Sequence, residues 1–154
     1  MKRKFRIIPW WMTKESRSLS GREKDIAKLE YLYHPSLDRD LEINKIRYTE
    51  DSMEFKKQVL WIKNHYGELT DIEYQKDLYT LEGKPFIELI EGKYTKDDYG
   101  SGRLAFEFEW NQLFILELKK NGYAGMSPDE IVNNWFVDIC YQIADTEYRN
   151  GYEN

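Results

Sequence analysis

The stretch Tyr66-Gly67-Glu68-Leu69-Thr70-Asp71-Ile72-Glu73-Tyr74 constrains the fold more than any other, because it closes one helix and opens the next almost at once. Gly67 takes the left-handed conformation that ends a helix at little steric cost. Thr70 and Glu73 then make a capping box, in which each side chain satisfies the other residue's orphan backbone N–H. Upstream, Asp51 with Glu54 reads as another capping box, opening a helix that lines up Phe55, Val59, Ile62 and Tyr66. Downstream, Ile72, Leu78 and Leu81 continue a short helix that stops near Gly83-Lys84-Pro85. The device dictates two short consecutive helices and carries no chemistry of its own.

The flanking segments fill in an α+β chain. Lys4 to Trp11 reads as a short strand that Pro9 confines to an edge or an end. Thr13 to Gly21 is polar and Ser-rich, a loop. A helical pattern through Ile26, Leu29 and Leu32 is broken at His34-Pro35, and Ser36 caps a further helix carrying Leu37 and Leu41. After Pro85 the apolar run 86–91 predicts a strand, and Gly92 to Gly102 a turn-rich connection. In 103–110, Leu104, Phe106, Phe108 and Trp110 alternate with Arg103, Ala105, Glu107 and Glu109, the pattern of a strand with one wet face. Asn111 caps a helix closed by Asn121-Gly122. Ser127-Pro128-Asp129-Glu130 opens the last one, over about 128–149. Its rows Ile131, Trp135, Ile139, Ile143 and Val132, Phe136, Cys140, Ala144 cover an arc of roughly 220°, which predicts a central core helix touching several neighbours. The expectation is one compact α+β domain over 1–154, with a helical N-terminal half, short antiparallel strands at about 4–11, 86–91 and 103–110, and a mild internal boundary near residue 83.

Composition narrows the function classes. At 154 residues the chain has length enough for a real core. The aromatic share of 16 % supplies contact area both for that core and for partner surfaces. One cysteine, Cys140, excludes an intramolecular disulfide and fits a reducing interior. The basic start has too short an apolar run for a signal peptide, and no window resembles a membrane span, so the expected location is the cytoplasm, with no membrane partner. Charge is uneven: residues 1–24 hold eight Lys/Arg against Glu15 and Glu23, a balance of +6, so that the other residues carry −11 and the chain a net −5. A basic head on an acidic body suits nucleic acid, an acidic partner, or the chain's own C-terminal half.

Catalytic and metal signatures are scarce. His34, His65 and Cys140 are scattered, too few for a closed zinc site, so neither a metal nor a cofactor is expected. There is no nucleophile elbow, and Cys140 reads as a small core hydrophobe. Gly100-Ser101-Gly102-Arg103 precedes a strand and lacks the phosphate-loop lysine, and Asp97-Asp98 lacks the calcium-loop pattern. Glu107 and Glu109, about 7 Å apart on one strand face, are the sole acid–base pair that a carboxylate-dependent hydrolase could use. The segment holding Lys2, Arg3, Lys4 and Arg6 with Trp10 and Trp11 is the better candidate site, joining phosphate-seeking charge to stacking surface. The alternative is an edge strand guarded by its charges, with both tryptophans in the core.

Gly67-Glu68-Leu69-Thr70-Asp71-Ile72-Glu73-Tyr74-Gln75-Lys76 resembles the core of the short helical SHOCT-type module, which implies a role in oligomerisation or interaction and brings no catalytic residues. Through Tyr66–Tyr74, Phe108-Glu109-Trp110-Asn111 and Ile131-Val132-Asn133-Asn134-Trp135-Phe136, the chain also resembles small uncharacterised proteins of tailed bacteriophages. That resemblance implies a phage or mobile-element accessory protein in the host cytoplasm. The leading expectation is a non-enzymatic protein-interaction protein acting on a host factor or in assembly, with a protein partner and with a homo-oligomer left open. The second is single-stranded nucleic-acid binding through the basic head, and the third is the hydrolase.

Overall fold

A computed structural model describes residues 1–96 and 102–152. The fold is α+β, with seven α-helices and one two-stranded antiparallel sheet among the described residues. It divides into two units, Met1–Leu81 and Glu82–Asn154.

The first unit is helical. A single 3-10 turn at Trp10–Met12 leads into α1 (Lys14–Ser18), α2 (Gly21–Leu32), α3 (Leu37–Arg47), α4 (Met53–His65) and α5 (Asp71–Leu81). From α2 onward each helix packs on the next. The caps explain the boundaries. Ser36 Oγ accepts from Arg39 N at 3.3 Å and opens α3. Gly67, at φ +75°, makes the turn after α4. Thr70 N donates to Glu73 Oε2 at 2.8 Å while Glu73 N donates to Thr70 Oγ1 at 3.2 Å, the reciprocal pair that the sequence predicts. Ile43 and Ile62 are the buried hydrophobics of this unit among the described residues, so most of its apolar stripe is half-buried. A polar joint helps to hold α3 to the end of α4: Tyr66 Oη donates to Asp40 Oδ2 at 2.6 Å, and Arg39 pairs with Asp40 Oδ1 at 2.7 Å. Burial, then the Asp40 bond, raises the Tyr66 pKa above its ordinary value.

Three local expectations change here. Residues 4–11 do not form a strand. Arg3 bridges Tyr33 in isolation, Lys4 N donates to Leu32 O at 2.7 Å, and among the described residues no second strand lies alongside to extend the ladder. Thr13–Gly21 is not all loop, because Thr13 Oγ1 accepts from Ser16 N and caps α1. The cap of α4 is Ser52, one residue later than Asp51, with Phe55 N donating to Ser52 Oγ at 3.1 Å.

The second unit is a hairpin with two helices. Strands β1 (Ile87–Lys96) and β2 (Gly102–Trp110) pair antiparallel, followed by α6 (Gln112–Lys120) and α7 (Pro128–Tyr152). The expected connection from Gly92 becomes strand as far as Lys96 and again from Gly102; Asp97-Asp98 and Gly100-Ser101 lie outside the described residues. Asn111 joins hairpin to helix. Its Oδ1 accepts from Phe86 N at 3.0 Å and Phe114 N at 3.1 Å, while its Nδ2 donates to Lys84 O at 2.8 Å. The core is Phe114, Ile115, Leu118, Ile131 and Val132, with Ile87, Phe108, Trp110, Tyr123 and Trp135 packed around it.

Helix α7 is central for its first turns only. Ile131 and Val132 are 2 % exposed, whereas Val137, Cys140, Tyr141, Ile143 and Tyr148 are exposed. The wide apolar arc therefore does not make a core helix throughout, and Cys140 is not a core residue. The hairpin and α6 cover the N-terminal part, and the stripe runs on beyond them. The helix also continues to Tyr152, past the stop expected at Asn150-Gly151.

Candidate functional site

The N-terminal segment takes its position from the end of α2. A helix leaves its last carbonyls without intrahelical donors and carries partial negative charge there. The last turn of α2 contains no basic residue of its own. Lys4 Nζ donates to Glu30 O at 2.7 Å and Arg6 Nε to Tyr31 O at 3.3 Å, so two cations from the head of the chain cap this helix from outside. The Arg6 guanidinium also lies 4.8 Å from the centre of the Tyr31 ring, and Trp10 packs against the same ring at 5.5 Å. Tyr31 Oη donates to Ile8 O. Of the candidate residues, Lys4, Arg6 and Trp10 are thus drawn together on α2, with Trp10 half-buried; Lys2, Arg3 and Trp11 are exposed. Only one of the two tryptophans is sheltered.

Sequence reasoning missed the apolar side chains between the basic ones. Phe5 is 92 % exposed and Ile7 88 %, with Ile8 and Trp11 also exposed. The segment alternates: Lys4 and Arg6 turn to α2, and Phe5 and Ile7 turn away from it. The Lys-Phe-Arg-Ile alternation was visible in the sequence, but which set faces the protein depends on α2 needing cations at its end.

A second feature lies wholly in the Glu82–Asn154 unit. Between β2 and α7 runs an open groove of about 890 Å³, floored by Phe106, Phe108 and Phe136 and bordered by Val137, Cys140 and Tyr141. The ring of Phe136 meets Phe106 edge-on at 4.7 Å and Phe108 at 4.9 Å. Consecutive residues Ala105, Phe106, Glu107 and Phe108 all line it, so it follows the edge of β2 that faces away from β1. Gly92 stands opposite Phe106, whose ring would meet a Cβ at Gly92 at 3.4 Å. The acidic side chains on the lining are Glu107 and Asp129, and no lysine or arginine lines it.

The carboxylates form a surface rather than a pair. Glu88 stands opposite Glu109, and a bulge at Ile90 places Glu91 opposite Glu107. Like charges directly across a ladder repel, and Lys93 Nζ offsets part of this at 2.7 Å from Glu91 Oε2. Glu107 is exposed and Glu109 half-buried. Among the described residues no group of three or more His, Cys, Asp or Glu is placed to hold a metal ion. His34 sits beyond α2, where its backbone N–H donates to Lys2 O at 3.0 Å. His65 ends α4, stacked on Trp61 with ring centres 5.1 Å apart. No described helix is long and apolar enough to cross a membrane.

Comparison with protein families, with curated proteins and with solved structures finds no match to this chain.

Proposed function

We propose that this protein is a non-enzymatic interaction protein, an accessory factor of the phage or mobile-element kind, that works in the cytoplasm by binding a protein partner through its N-terminal segment. The observation that carries the reading is the exposure of Phe5, Ile7 and Trp11 at 92, 88 and 69 % within one short segment. Large apolar side chains held in water lie at higher free energy than the same side chains covered by a partner, so such a cluster marks a docking surface. The resemblance of residues 67–76 to a SHOCT-type module points the same way.

Single-stranded nucleic-acid binding is the second reading, favoured by Lys2 and Arg3 being exposed in the same short segment as the exposed rings of Phe5 and Trp11. It ranks lower because Lys4 and Arg6 are engaged on α2 carbonyls. A tagged pull-down from host lysate, with and without nuclease, separates the two. A stoichiometric protein that survives nuclease and is lost from the double variant Phe5→Ser/Trp11→Ser supports the first reading. Recovered nucleic acid, or proteins that vanish with nuclease, would replace it with the second.

A further inference from the structure

We infer that the groove between β2 and α7 receives the N-terminal segment of a second copy of this chain, with Phe5 and Ile7 seated over Phe106 and Phe136. The two surfaces are complementary in shape and in charge. The donor is an extended strip whose outward side chains, Phe5 and Ile7, are almost wholly exposed. The acceptor is an open apolar trough along an unpaired strand edge, of a volume that suits a few large side chains. Its rim carries Glu107 and Asp129, whereas Lys2 and Arg3 flank the donor strip. The acceptor unit ends in an acidic stretch, with six acidic residues and one arginine from Asp129 to Asn154, while residues 1–24 carry +6. Two grooves facing each other would set like charges together; a basic strip in a groove sets opposite charges together.

An interface of this kind is heterologous: each copy offers a strip and a groove, and the two are different surfaces. A two-stranded hairpin gains by having its free edge covered, since an unpaired edge is itself a template for association. The inference rests on the N-terminal segment being a protein-binding surface, and its test is arranged to fail separately.

Two variants of the full chain divide the surfaces. Phe5→Ser/Ile7→Ser removes the strip and leaves the groove; Val137→Lys blocks the groove wall and leaves the strip. All three positions are exposed, and unchanged circular dichroism would establish that both variants fold. Wild-type protein in sedimentation velocity should associate with rising concentration, more weakly at high salt, and each variant alone should associate about tenfold more weakly. An equimolar mixture of the two variants should regain a 1:1 complex, because one intact strip meets one intact groove. A monomeric wild type, or variants that fail to complement, would overturn the inference. Neither result would touch capture of another protein by the strip. As a second readout, Phe5→Cys under mild oxidation should join Cys140 of another copy and give dimers on a non-reducing gel. A disulfide closed within one chain would overturn the second-copy assignment.

Discussion

At the residue scale, two side chains hold more of this structure than their size suggests. Asn111 is 5 % exposed and satisfies two backbone donors while donating to a third backbone group. Alanine there removes the α6 cap and strands Phe86 N in a buried position. The expected loss is about 2–3 kcal/mol, read as a lower midpoint in urea; a change within about 0.5 kcal/mol would mean that water replaces the amide. Glu73 acts by charge. Its bond from Thr70 N, then that from the Thr70 hydroxyl, hold its pKa below the ordinary glutamate value. A depressed carboxylate contributes stability that is present above its unfolded pKa, about 4.3, and lost as pH falls through the folded pKa. The closure of the α4–α5 turn should therefore be intact at neutral pH and weaken in acid. In a proton NMR titration Glu73 should titrate below the ordinary glutamate value, and Thr70→Ala should move it up towards that value. An unshifted Glu73 in the wild type would contradict the reciprocal cap.

At the scale of elements, helix α7 offers the sharpest contrast within one sequence pattern. Its apolar rows look alike from Ile131 to Ala144, yet the early residues are buried and the late ones exposed. Ile131→Ala should cost about 2–5 kcal/mol by emptying a core position, whereas Ile143→Lys should change stability by less than about 0.5 kcal/mol. Urea midpoints for the pair decide the point, and a large loss at Ile143 would mean that the whole stripe is packed. The same contrast explains what the sequence could tell. Caps and turns were legible because they are local: Gly67, Thr70 and Ser36 meet partners a few residues away, as Asn111 does in capping α6 through Phe114 N, whereas its bonds to Phe86 and Lys84 reach 25 and 27 residues back and were not legible. Hydrophobic periodicity told which face of α7 is apolar but not how far its covering extends, since that depends on where the hairpin and α6 end. The strand expected at 4–11 failed for a related reason. Alternation marks a chain able to extend, and a ladder also needs a neighbouring strand, which the end of α2 does not supply.

At the scale of the whole molecule, the asymmetry between a head of +6 and a remainder of −11 was plain in the sequence, and its use was not. Part of the positive charge is spent inside the fold, because Lys4 and Arg6 serve carbonyls 26 and 25 residues away in sequence. No local pattern announces so distant a cap; the one available hint was that α2 ends without a basic residue. This division of labour makes a quantitative prediction about nucleic acid. Each phosphate neutralised on a single strand contributes about −0.7 to the slope of log affinity against log salt. If only Lys2 and Arg3 of the basic run meet phosphates, any binding of a labelled single-stranded oligonucleotide has a slope no steeper than about −1.4. Fluorescence anisotropy across a salt series measures it. A slope near −2.8 would require about four phosphate contacts, so Lys4 and Arg6 would have to leave α2, and helix content should then fall on binding. A shallow slope with unchanged helix content keeps those two residues as the cap of α2 and leaves the exposed apolar side chains between them as the surface that a partner meets.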